Sequence, residues 1–458
     1  MATAAQSSTA DRLDHSKEPI TGKVIMIAVL AGFSGLLYGF DSGAISGALP
    51  QLIDLWNLTD GQVGLVTALL LYGALPSIVG ATLASRYIDR RQLLLIAGVI
   101  FIVGSIVCAI APTVEVLMAA RFGLGFGIGI ANMFGLIYLS ELAPTRIRGM
   151  LTALYQLAVN FGILGAFTVG DVYQNVDGGW KWMLGLGVVP AVIFFIGMWI
   201  APPSPRFLIT RGRFEEARDV LRKLRATQEI ADAEALAIQR VASERNAGIG
   251  ELFAKARKPL VLLIGLTFFQ VYTGINAVVY YAPIIFGTME GLGDRAGMIA
   301  NYSVGFALVI STAVSLPLIE RMGRVKLLAI SMAGQAVAMT VLWLFPEAGW
   351  FTVGAVFAYT FAFGFGLGPV FWLYVPEILP LKMRAIGMGV ITFTQYLFNA
   401  IFANMVPTWM TQFGSVTFLA FGVLSVVGVL YVIFLIPETT GKSLEEIERE
   451  LSAGSLTK

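Results

Sequence analysis

Two charged side chains, Asp41 and Arg121, stand inside long apolar stretches of this 458-residue chain. Charges in such surroundings are costly and are functional candidates by default. An unpaired buried carboxyl favours its neutral form, and a neighbouring guanidinium favours the charged form. A pair whose separation changes therefore changes its affinity for a proton. A second set consists of amides: Gln156, Gln270 and Gln395, with Asn160 and Asn399 one helical turn after the first and the last. Amides donate and accept at once, which suits a neutral ligand rich in hydroxyls. A third set is ionic. Glu141 and Glu377 are each followed seven residues later by an arginine, Arg148 and Arg384. The single cysteine, Cys108, and the single histidine, His15, exclude a disulfide framework and a Cys-based zinc site, and leave little room for histidine chemistry. No paired catalytic carboxylates or Ser–His arrangement appears, so an enzyme is the least favoured class.

The elements that must position these residues follow from composition. The chain is 57% hydrophobic and 13% charged, against about 25% charged in an ordinary soluble domain. That excludes disorder, and a formal net charge of +2 disfavours a nucleic-acid partner. A polytopic membrane protein remains, with the lipid bilayer in place of a charged surface. Twelve runs are long enough to cross a bilayer. They lie near 24–49, 62–85, 92–111, 114–139, 149–171, 181–201, 259–287, 297–319, 326–346, 350–376, 385–411 and 415–436. The polar start shows no cleavable signal peptide. Between the sixth and seventh runs, Arg206 to Lys258 holds twenty of the 31 basic and 29 acidic residues. Its mixed charges and alanines predict short amphipathic helices. The expected partition is a tail over 1–23, a six-helix bundle over 24–203, a helical linker over 204–258, a second bundle over 259–437 and a tail over 438–458. Short-loop Lys and Arg gather on the linker side, which predicts that both termini are cytoplasmic. At about 1.5 Å per residue, Asp41 lies ~27 Å from the inner face and Arg121 ~9 Å below the outer one, so a pair is geometrically plausible.

The two halves repeat. Tyr138-x-x-Glu141-x-x-Pro144-x-x-x-Arg148 recurs as Tyr374-x-x-Glu377-x-x-Pro380-x-x-x-Arg384. Arg90 matches Arg324, and Pro202 matches Pro437, at nearly the same offset. Six spans per half give both halves one orientation, the parallel repeat of a two-bundle transporter with its site near mid-membrane. Arg90, Arg91, Glu141, Arg148, Glu320, Arg324, Glu377 and Arg384 then form a candidate cytoplasmic gate, pairing across the bundles when the inside is shut. Gly274 and Pro283 are expected to break the seventh span, and Gly366, Gly368 and Pro369 the tenth.

Several ordered stretches carry a resemblance. They are Gly39-Phe40-Asp41-Ser42-Gly43, Tyr138-Leu139-Ser140-Glu141, Pro202-Pro203-Ser204-Pro205-Arg206, Thr273-Gly274-Ile275-Asn276, Gly368-Pro369-Val370-Phe371-Trp372 and Pro437-Glu438-Thr439. The chain resembles the sugar porter family of the major facilitator superfamily over almost its full length, and looks most like bacterial members. The resemblance implies an all-α membrane protein with twelve helices in two six-helix bundles. It implies import of a monosaccharide, a hexose or pentose, with a proton, in the bacterial inner membrane. It matches Asp41 and Arg121 to a proton-coupling pair, and Gln156, Gln270, Asn276, Trp372 and Gln395 to sugar-contacting positions. Asn399 joins that set as the helix-face neighbour of Gln395. The resemblance also matches Tyr280 and Tyr281 to an outer gate. Protons are the coupling ion and no cofactor is expected; a monomer is the expected functional unit. Three departures stand out. Arg86-Tyr87-Ile88-Asp89-Arg90-Arg91 differs from the family loop Asp/Asn-Arg-x-Gly-Arg-Arg. Pro203 replaces a glutamate, and Val271 replaces the second of two glutamines. Val271 keeps open a carrier of polyols, inositol or a hydroxylated acid. An uncoupled facilitator and a transporter-like sugar sensor stay open as well.

Overall fold

The computed structural model describes residues 22–142, 148–242, 249–287, 291–380 and 383–440. The tail through Thr21, with His15, and the tail beyond Thr440 lie outside these residues, as do Pro144 and the side chains of Arg148 and Glu320. The first half comprises α1 (Gly22–Trp56), α2 (Asp60–Ala84), α3 (Arg90–Ala109), α4 (Val114–Leu142), α5 (Arg148–Tyr173) and α6 (Gly179–Ile200). Four short helices follow: α7 (Pro205–Thr210), α8 (Phe214–Leu224), α9 (Gln228–Ala242) and α10 (Ile249–Lys255). The second half comprises α11 (Arg257–Ile285), α12 (Ala296–Met322), α13 (Arg324–Leu344), α14 (Trp350–Ile378), α15 (Arg384–Phe413) and α16 (Val416–Leu435). Ten of the long helices have the length and hydropathy of a membrane crossing. With 35 and 26 residues, α1 and α5 complete twelve. Helices are the natural solution, because they satisfy backbone polar groups internally where lipid offers no partner.

Close approach of α1 and α5 depends on glycines. Gly35, Gly39, Gly43 and Gly47 recur every fourth residue on one face of α1. A Cβ at Gly39 would lie 1.9 Å from the Val159 carbonyl oxygen, and one at Gly162 would lie 2.3 Å from that of Leu36. Small residues of this kind let backbones touch where the hydrophobic effect between helices is absent. Gly39→Val is therefore expected to prevent accumulation of folded protein, read as loss of the monodisperse peak after detergent extraction.

Among the described residues, three spans are interrupted. In α11 the break falls at Thr273 and Gly274, whose φ is +105°. Tyr359 donates to the freed Thr273 carbonyl at 2.9 Å. In α14 it falls at Gly366, and the Ser331 hydroxyl accepts from the Leu367 N–H at 2.9 Å. Pro283, expected as a breaker, lies inside the second part of α11. Gly368 and Pro369 sit in the first turn after the Gly366 break. A proline there removes an N–H that has no helical partner anyway, so it does not interrupt the helix. The third break, at Leu186 and Gly187 in α6, had no expected counterpart.

In the linker, Arg218 and Arg222 clasp Asp232 between α8 and α9, at 2.6 Å and 3.1 Å from its Oδ1. Arg225 is 4% exposed; it pairs with Glu234 and donates to the Leu142 carbonyl at 2.9 Å, docking the linker on the end of α4.

Candidate functional site

Asp41 on α1 and Arg121 on α4 meet in the half of the span away from the linker helices. Arg121 Nη1 donates to Asp41 Oδ1 at 3.4 Å and Nη2 to Oδ2 at 3.3 Å. Asp41 is 7% exposed and Arg121 1%. The fork is bidentate but longer than the 2.7–2.9 Å typical of a tight charge-assisted pair. Arg121 is held more firmly elsewhere: its Nε donates to the Val66 carbonyl on α2 at 2.6 Å. The guanidinium is thus anchored by α2, while the carboxylate belongs to α1. A change in the α1–α4 separation would alter the carboxylate's surroundings without releasing the arginine.

Packing of α11 against α14 and α15 brings Gln270, Asn276, Trp372, Gln395 and Asn399 into one half of the molecule, and Gln156 comes from α5. Gln270, Gln395 and Asn399 are buried, whereas Asn276 and Trp372 are half-buried. Among the described residues, the Gln270 amide oxygen and the Asn399 amide oxygen have no hydrogen-bond partner. Asn399 Nδ2 donates to the Tyr280 hydroxyl at 3.4 Å. Trp372 stands edge-on to Phe371, with centroids 5.1 Å apart. Gln156 Nε2 donates to Asn160 Oδ1 at 3.5 Å. Asn160 itself is committed across the halves, donating to Thr312 Oγ1 at 2.8 Å and to the Leu308 carbonyl at 3.1 Å on α12. Tyr281 donates to the Ala403 carbonyl at 2.7 Å, which ties the second part of α11 to α15.

One constellation had no sequence expectation. Asn132 on α4 accepts from Tyr155 on α5 and donates to Tyr396 on α15, so it joins the two halves. Tyr38 on α1 completes it, its ring centroid 6.4 Å from that of Tyr396. A usable signal existed, since Asn132 is an amide well inside the fourth apolar run. The tyrosines carried none, because aromatic residues are common throughout the spans.

At the linker end each half makes the same set of ties. Tyr138 donates to the Pro202 carbonyl at 2.5 Å, and Tyr374 to that of Pro437 at 2.9 Å. Arg90 pairs with Glu141 at 3.4 Å, and Arg324 with Glu377 at 2.9 Å. Ser204 Oγ donates to Glu141 at 2.5 Å, and Thr439 Oγ1 to Glu377 at 2.5 Å. The Tyr-x-x-Glu spacing puts both side chains on one face of the fourth or tenth span, where they bind the end of the sixth or twelfth. These ion pairs stay inside one half. Arg91 caps α6 instead, donating to the Met198 and Trp199 carbonyls at 3.0 Å and 2.5 Å. Arg384 opens α15. Burial pushes the Asp89 carboxyl up, against the hydrogen bonds it accepts from the Ser204 and Arg90 N–H groups. Burial acts the same way on Glu438, but hydrogen bonds from Thr440, Arg324 and Val325 hold it below the usual carboxylate range.

This arrangement is matched by known proteins. The family described as "Sugar (and other) transporter" matches residues 27–451. The galactose-proton symporter of Escherichia coli K12 is 34% identical over 454 residues, covering 96% of this chain and 97% of the relative. The arabinose-proton symporter of Bacillus subtilis is 35% identical over 443 residues, covering 93% and 95%. The inward-open structure of the xylose transporter XylE from E. coli is similar with a TM-score of 0.81 and 26% identity, covering 93% of this chain and 99% of that one. Matching family, matching architecture and matching length agree: the chain belongs to the sugar porter family of the major facilitator superfamily, and is a membrane transporter rather than an enzyme.

Proposed function

We propose that the protein imports a monosaccharide, a hexose or pentose, together with a proton by alternating access. The observation that carries the sugar reading is the pair of buried amide oxygens, on Gln270 and Asn399, that lack a donor. Leaving such a group unpaired costs about 1–3 kcal/mol, and sugar hydroxyls would supply the missing donors. Gln156, Asn276, Trp372 and Gln395 complete the sugar site, with Trp372 facing the C–H surface of the ring. Tyr280 and Tyr281 close it on the outer side. Asp41 carries the proton and Arg121 governs its release. The names of several relatives, which couple a sugar to a proton, support this reading.

In this reading the linker helices and both termini face the cytoplasm of a bacterial inner membrane. The working units are the bundles 24–203 and 259–437, joined by 204–258 and flanked by tails 1–23 and 438–458. One monomer suffices, and protons replace any cofactor. Arg90, Arg91, Glu141, Arg148, Glu320, Arg324, Glu377 and Arg384 form the cytoplasmic gate. Their pairs inside each half rearrange as the halves rock, a two-state element of the hinge kind.

A polyol or inositol carrier is the second reading, favoured by Val271, which is fully buried where the resemblance expects an amide. Uptake by proteoliposomes of labelled hexoses, pentoses and polyols, at two external pH values, separates the two. The expected result is ionophore-sensitive accumulation of a monosaccharide; accumulation of none of them overturns the transport reading. Gln270→Ala should weaken sugar binding about 10- to 100-fold, the equivalent of one or two hydrogen bonds to a buried amide. Calorimetric titration checks this, and unchanged affinity would remove Gln270 from the site.

A further inference from the structure

The linker ends of the two halves differ in one part. In the second half, Glu438 Oε1 accepts from the Arg324 N–H at 3.0 Å and from the Thr439 N–H at 3.1 Å. Its carboxylate bridges the start of α13 to the end of α16. Position 438 corresponds to Pro203 in the first half, which offers no carboxylate. The corresponding donors are nevertheless served. The Ser204 N–H donates to Asp89 at 3.3 Å and 3.4 Å, and the Arg90 N–H donates to the same side chain. Asp89 itself occupies the position of Gly323. Gly323 has φ +88°, and a Cβ there would come 2.8 Å from Glu438 Oε2. The glycine leaves room for the glutamate, so one carboxylate fits between the two positions and a second one does not. Asp89 has instead an ordinary extended N-cap backbone, with φ −64° and ψ 148°.

We propose that Asp89 is a positioning residue that does in the first half what Glu438 does in the second, with its carboxylate moved from the end of the sixth span to the start of the third. It acts through Ser204 and Arg90. By fixing their backbones it aims the Ser204 hydroxyl and the Arg90 guanidinium at Glu141. Asp89 is 5% exposed, so the bridge is sheltered from water. The pairs Asp89 with Pro203 and Gly323 with Glu438 are therefore two versions of one latch. The exchange is testable as a unit, because each change alone breaks what the two together restore.

Four full-length proteins test it: wild type, Asp89→Gly, Pro203→Glu and the double variant Asp89→Gly/Pro203→Glu. Each is reconstituted for uptake of the monosaccharide that the wild type carries, and each is titrated with that sugar in detergent. Asp89→Gly should slow net uptake about tenfold, the scale of one hydrogen bond to a charged group, with sugar affinity unchanged. Pro203→Glu alone should also slow it, because two carboxylates then compete for one set of donors. The double variant should return to near the wild-type rate, a strongly non-additive cycle. A double variant as slow as Asp89→Gly, or additive losses, overturns the inference. If Asp89→Gly does not accumulate as folded protein, recovery of folded double variant supports the exchange and its absence refutes it. The inference rests on the transport reading only for the uptake measurement. Failure of the wild type to transport any sugar would sink that reading, and the same cycle is then read from melting temperatures.

Discussion

Asp41→Asn is expected to abolish concentrative uptake and to leave sugar exchange intact. The asparagine keeps the side chain's shape and one acceptor for Arg121, but it takes up no proton. The cycle can then shuttle loaded carrier between the two faces and has no means of using a proton gradient. The expected accumulation ratio in energised vesicles falls to about one, since a carrier without differential proton binding shifts no equilibrium. Exchange of labelled for unlabelled sugar checks that the protein is folded and mobile. Full accumulation by Asp41→Asn would show that the Asp41–Arg121 pair is structural and that coupling lies elsewhere.

Arg121→Gln is the second change of large effect, and it acts on stability as well as transport. Removing one partner of a buried ion pair leaves the other charge uncompensated, at a cost of about 3–5 kcal/mol. Here the loss is greater than the pair alone, because Arg121 also satisfies the Val66 carbonyl at 2.6 Å. A substantial drop in melting temperature is expected, together with loss of coupled transport. Adding Asp41→Asn should recover much of the stability, since no charge is then stranded, but none of the accumulation. Equal melting temperatures for Arg121→Gln and the wild type would mean that the pair does not hold α1, α2 and α4 together.

The twelve spans and the internal repeat were legible because they depend on length and on side chains in register, which no tertiary detail can disguise. Depth arithmetic sufficed to put Asp41 and Arg121 in reach of each other, since both lie on helices of regular rise. The breaks were legible only in part. Gly274 needs a positive φ that glycine alone adopts readily. Pro369 is harmless, because it falls in a first turn. The bridge Tyr155–Asn132–Tyr396 joins α4, α5 and α15, and no pattern along the chain shows which helices of different halves will face each other. The carboxylate at Asp89 was visible as an oddity in its loop, and its meaning required seeing that Ser204, 115 residues away, donates to it.

Asn160 has a consequence for how the molecule could move. It sits midway along α5 and donates to Leu308 and Thr312 on α12, so it joins the halves at mid-depth. Of the other cross-half bonds, Asp171 with Tyr302 and Ser46 with Asn301 lie farther toward the end opposite the linker, and Asn132 with Tyr396 joins α4 to α15. When two bodies tilt against each other, points at the axis hardly travel and points at the rim travel most. Asn160 is placed like a fulcrum: its hydrogen bonds could persist through the whole cycle while those at the rim are made and broken. The two amides of α5, Gln156 and Asn160, stand one turn apart, and Asn160 is the pivot that this geometry offers.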